Sequence, residues 1–174
     1  MIGRFHEFLQ KRGESLSLRA GGLPDTLESI LVEPELLPED QRGGWSVSGE
    51  YLTSAATDAG PTVSFPLRVS QDGLYRLWVQ YEGWTTGTAV TRLRLYPAGG
   101  ENEAPLVDDE VYDYACQQDG PAWHDTMVDL WAGEYVVKLG HVTRWWHAGK
   151  GPAGYQPRRI DCLYLTRRPW ADPP

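Results

Sequence analysis

The sequence has only two cysteines and three phenylalanines, no long apolar run, and 16 Lys and Arg against 24 Asp and Glu in 174 residues. Each shortage excludes something. A single possible pair, Cys116 with Cys162, rules out a disulfide framework, and two buried free thiols are the expected state. No apolar stretch approaches the ~20 residues that cross a bilayer as a helix, so membrane insertion is not expected. The opening "MIGRFHEFLQKRGESLSLRAGG" lacks the apolar h-region of a secretory leader, so no signal peptide is visible, and Met1 reads as a native start. A net charge of -8 repels a phosphate backbone, which argues against nucleic acid as a partner.

Catalytic signatures are also missing. There is no Gly-x-Ser-x-Gly elbow, and "SVSGE" (46 to 50) is not one. "AGKGPAG" (148 to 154) has neither the preceding strand and following helix nor the Ser/Thr of a phosphate loop. His124, His141 and His147 match no zinc spacing. The acidic run "VDDEVYD" (107 to 113) could be imagined as a glycosidase carboxylate pair, but alternate residues of a solvated strand look the same. The expectation is a protein that is not an enzyme.

What is present is aromatic and strand-forming. Eight Trp and nine Tyr are the rings that carry a polar handle, useful in a core and on a binding surface alike. Ile2, Phe5, Phe8 and Leu9 share one side of a possible short amphipathic helix, and "GGLPDT" (21 to 26) then breaks the chain like a linker. From residue 28 the pattern becomes short alternating or apolar runs. Strands are expected at 28–35, 44–53, 62–69, 73–82, 89–97, 107–115, 123–130, 134–142 and 159–166. "SQDG" (70 to 73) and "WAGE" (131 to 134) supply turns between them. Short strands at this spacing without helical periodicity predict an all-β, two-sheet antiparallel β-sandwich with a short N-terminal helical extension. The expected layout is an extension over 1–27, a β domain over 28–168 and a tail over 169–174 ending in "ADPP".

Five segments in order, "ILVEPELL", "GGWSVSGEYLTS", "QDGLYRLWVQYEGW", "MVDLWAGEYVVKLGH" and "RRIDCLYLT", resemble the galactose-binding-like jelly rolls of the family 6 and family 35 carbohydrate-binding module type. The resemblance implies a structural calcium ion held by the Glu-x-Glu strand and the Asp of the last strand, here Glu33, Glu35 and Asp161, with Pro34 standing where the family favours a small residue. It implies a polysaccharide or glycoconjugate partner bound either at the loops of one end or on a concave sheet face. At the loops, sugar C–H faces would stack on Trp84, Trp145, Trp146 and Tyr155, with His147, Gln156 or Arg158 meeting hydroxyls where the family carries an Asn. Trp123 would suit the sheet face. Trp45, Trp78 and Trp131, beside turns or inside strands, are read as core or rim. The resemblance also suggests an extracellular or surface-exposed location. The alternative is a structural or interaction subunit of a larger assembly, a decorating or appendage component, with residues 1–22 docking to a protein partner.

Overall fold

The computed structural model describes residues 29–54, 62–83, 90–111, 120–141, 157–168, 170 and 172–174. The expected N-terminal helix and the docking segment 1–22 lie outside the described residues.

Among the described residues there are ten strands: β1 Ser29–Val32, β2 Ser46–Ser48, β3 Tyr51–Thr53, β4 Val63–Val69, β5 Gly73–Gly83, β6 Thr91–Pro97, β7 Val107–Val111, β8 Gly120–Leu130, β9 Gly133–His141 and β10 Arg159–Thr166. They form the two-sheet antiparallel sandwich. One sheet has the order β2-β3-β10-β5-β8, with β1 also pairing β10, and the other runs β4-β9-β6-β7.

Period-two alternation decides which side chains fill the space between the sheets. In β5, Tyr75, Leu77, Val79 and Tyr81 join the core, while Arg76, Trp78, Gln80 and Glu82 face outward. Opposite them stand Phe65 and Leu67 of β4, Leu93 and Leu95 of β6, and Val137 and Leu139 of β9. Each such side chain stabilises the fold by roughly 1.5–3 kcal/mol through removal from water. The edge strand β4 carries Pro66 opposite Val136, and its missing amide discourages a further strand from pairing there.

The opening strand is shorter than the sequence suggests. It ends at Val32, and Pro34 begins a 3-10 turn over Pro34–Leu36, where a residue without an amide hydrogen costs no ladder bond. The run at 44–53 divides into the hairpin β2-β3, folded back at Gly49, whose φ of 67° lies in the left-handed region. β8 starts three residues before the expected Trp123, because all eleven residues of β5 find a partner in it, from Gly73 with Leu130 to Gly83 with Gly120.

Candidate functional site

The register brings a set of strand ends together. Thr53 pairs with Arg159 and Gly83 with Gly120 in one sheet; Val63 pairs with Leu139, and Thr91 with both Val111 and His141, in the other. Hence the strand ends bounding residues 55–61, 84–89, 112–119 and 142–156 all lie at one end of the sandwich, and each of these four segments crosses from one sheet to the other. Trp84, Trp145, Trp146, His147 and Tyr155 fall on two of them and lie outside the described residues.

Arg158 is described, and it is built into the base of this end. Only 2% of it is exposed; its amide donates to Ser54 Oγ at 3.1 Å, and its Nε donates to the Val90 carbonyl at 2.7 Å. The amide of Ser54 returns a bond to the Arg158 carbonyl at 2.9 Å. One residue, through its backbone on Ser54 and its side chain on Val90, thereby ties the strand ends bounding 55–61, 84–89 and 142–156. Beside it on the outer side, Arg159 pairs with Glu82 and lies 4.6 Å from the centre of the Tyr51 ring. Sequence spacing could not separate a buried Arg158 from a half-buried Arg159.

The three candidate calcium ligands belong to a carboxylate group near the start of the chain's β domain. Burial pushes the Glu35 carboxyl up to about 7, helped by Glu33, Asp161 and Glu50. Asp161 is pushed up to about 6, again first by burial and then by Glu50 and Glu33. Glu35 Oε2 is buried without a hydrogen bond. The carboxylates are hard oxygen donors, which suits calcium in kind. Among the described residues, however, no three His, Cys, Asp or Glu side chains converge closely enough to hold a metal ion by themselves. The neighbouring Cys162 is a buried free thiol pushed up to about 12 by burial and by Asp161, Glu35 and Glu33. Cys116 lies outside the described residues.

On the outer face of β5 and β8, Trp78 meets Trp123 edge to face at 6.2 Å between ring centres, and the Arg76 guanidinium sits 4.0 Å over the Trp78 ring while bonding Asp125 at 2.7 Å. The acidic strand β7 is a solvated, ion-paired strand: Asp108 bonds Arg92 and Arg94, and Asp109 bonds His124 across the open edge between the sheets at 2.8 Å. Trp45 is buried in the core, as expected, and Trp78 is also buried. Trp131, expected in the core or at its rim, is outside the core and 75% exposed at the opposite end of the sandwich. Its place at the first position of a tight turn was visible in the sequence, but turn adjacency alone does not say whether a ring folds inward.

No protein-family model matches the chain, and no curated protein matches it. Solved structures similar to it include the family 35 carbohydrate-binding module of Abf62 from Cellvibrio japonicus, at 15% identity, covering 79% of this chain and 92% of that one with a TM-score of 0.48. The C-terminal family 6 module of LamC, a marine laminarinase from Zobellia galactanivorans, shares 16% identity over 80% of this chain and 100% of that one, with a TM-score of 0.49. A family 6 module of Cellvibrio mixtus lichenase 5A, in complex with cellotriose, shares 15% identity over 81% and 97% of the two chains, with a TM-score of 0.46. Likeness at this level concerns the fold; function has to be argued from this chain's own side chains.

Proposed function

We propose that the protein is a non-catalytic carbohydrate-binding module that takes a glycan at the end of the sandwich where the strand ends bounding 55–61, 84–89, 112–119 and 142–156 lie. The observation that supports this is the shared location of the strand ends bounding 84–89 and 142–156, the segments that carry Trp84, Trp145, Trp146, His147 and Tyr155. Stacking of sugar C–H faces on indole and phenol rings supplies the affinity, and His147 meets ring hydroxyls. Arg158 serves this site from below, as the tie between loop feet, rather than as the chief hydroxyl ligand. Calcium is proposed as a structural ion, with Glu33, Glu35 and Asp161 furnishing carboxylates and other oxygens completing its shell. When bound it would neutralise the mutual repulsion of these groups.

The test is glycan binding by the intact chain, followed by replacement of Trp145 and Trp146 with Ala. The expected result is at least a tenfold loss of affinity, about 1.4 kcal/mol, with the unfolding midpoint unchanged. Binding that survives the loss of both rings, or no glycan binding at all, overturns the loop-end site.

A second reading, an interaction subunit of an assembly, is favoured by one feature: exposed Leu74 and Met127 lie on neighbouring strands of the same outer face. It requires an oligomer or a co-purifying partner that is released when residues 1–22 are removed.

A further inference from the structure

Trp131 occupies the tight connection between β8 and β9, at the end of the sandwich remote from the four sheet-crossing segments. Its ring is exposed, yet its backbone is fixed. The Tyr135 hydroxyl accepts a hydrogen bond from the Trp131 amide at 3.0 Å and donates one to the Trp131 carbonyl at 2.7 Å. Asp72 Oδ1, from the turn between β4 and β5, accepts from the next amide, Ala132, at 2.6 Å. Tyr135 is itself part of the core, so the pedestal is anchored in the body of the sandwich. With the backbone already fixed, only the rotamers of the exposed indole remain to be ordered when something covers it.

Beside the ring is a hollow of about 340 Å³ lined by Asp72, Gly73, Asp129, Leu130 and Trp131. This is near the lower bound of small-ligand sites, about 300–1,000 Å³. The Arg167 guanidinium lies against Gly73, with Nε 3.0 Å from where a Cβ would stand, and it is held there by Gln71. The hollow is therefore lined by an exposed tryptophan and two aspartates, of which Asp72 already gives Oδ1 to the Ala132 amide, and the Arg167 guanidinium packs against Gly73 of the same lining. Carboxylates accept hydrogen bonds from vicinal hydroxyls, and an indole takes the C–H face of a ring. Two carboxylates on a protein of net charge -8 disfavour an acidic ligand.

We propose that this hollow is a second carbohydrate contact, taking one non-acidic pyranose residue stacked on Trp131 with its hydroxyls on Asp72 and Asp129. The proposal rests on the glycan reading for its ligand class, not for its location. β5 and β8 each run eleven residues between the two ends, about 35 Å at the usual rise per residue. Contacts at both ends let one module engage two chains of a polymer, and simultaneous engagement raises the apparent affinity well above that of either site.

The test follows the indole N–H resonances of the intact chain by NMR, with the Trp131 signal assigned from Trp131→Phe, during titration with cellotriose, panose and glucuronic acid. The expected result is a saturable shift of the Trp131 signal with a neutral trisaccharide, retained when Trp145 and Trp146 are both Ala, and no shift with glucuronic acid. A Trp131 signal unmoved by both trisaccharides overturns the proposal, and so does an equal response to glucuronic acid. The loop-end reading is read out separately: signals lost in the Trp145 and Trp146 variants respond if it holds and stay still if it fails, whatever Trp131 does. On an insoluble neutral glucan that the intact chain retains, Trp131→Ala is expected to weaken binding about tenfold or more; an unchanged isotherm there also counts against the second contact.

Discussion

Arg158 and Arg159 are adjacent in the sequence and opposite in role. The buried guanidinium of Arg158 donates to the Val90 carbonyl, which loses that donor if the side chain is removed. Arg158→Ala is therefore expected to destabilise the protein by about 2 kcal/mol, through an unsatisfied acceptor and a small void, with a correspondingly lower unfolding midpoint in urea. A loss of glycan affinity with no loss of stability would instead make Arg158 a direct ligand contact. Cys162 gives a second residue-scale expectation. A thiol pushed up to about 12 in a buried site has almost no thiolate at neutral pH, so it should react with a disulfide reagent only under denaturing conditions. Rapid labelling of Cys162 in the native protein would contradict its placement.

The carboxylate group adds a pH dependence whose sign follows from linkage. Glu35 and Asp161 have folded values of about 7 and about 6, above their ordinary 4.5 and 3.8, so between these limits the native state holds more protons than the unfolded chain. Without calcium, the stability contributed by these two groups should be full below their ordinary values and be lost as pH rises through about 6 and about 7, whereas Asp108, held low by Arg92, contributes in the opposite sense. Calcium bound by the ionised carboxylates should reverse that fall, so its effect on the melting temperature should be larger above pH 7 than below pH 4.5. Glu35→Gln should flatten the calcium-free profile. A melting temperature indifferent to calcium at every pH would remove the ion from the account.

Elements with regular alternation were legible in the sequence, and elements bounded by backbone exceptions were less so. The segments at 62–69 and 159–166 coincide with β4 and β10 to within a residue, the first because its apolar positions recur every second residue, the second because it is a short, nearly continuous apolar run with marked ends. The opening strand was overextended because Glu33 and Glu35 continue its alternation, whereas Pro34 ends the ladder between them. Partner length decided the start of β8, and a single strand carries no record of its partner. At the turn between β8 and β9, the "WAGE" signal was correct, but the bracket formed by the Tyr135 hydroxyl is a contact four residues away in the chain that no turn motif encodes. Tyr135→Phe removes both bonds and should cost about 1–2 kcal/mol, with faster amide exchange at Trp131. Unchanged exchange there would mean that the turn holds its own shape.

For the whole molecule, the sandwich class could be read from strand count and spacing, but the grouping of the candidate site could not. Trp84 and the Trp145/Trp146 pair are some sixty residues apart in sequence. Only the antiparallel register, with β5 beside β10 and β6 beside β9, carries the bounding strand ends to one end of the sandwich. The same register sends Trp131 to the other end. Glycan binding at the end of the sandwich where the strand ends bounding 84–89 and 142–156 lie is what separates a recognition module from a building block. The most direct test is a glycan-array screen of the intact chain, with and without calcium, paired with light scattering on the same sample. The account predicts a glycan signal from a monomer, strengthened by calcium. Silence across all glycans from an oligomeric sample would contradict it and make the sandwich a building block of a larger assembly.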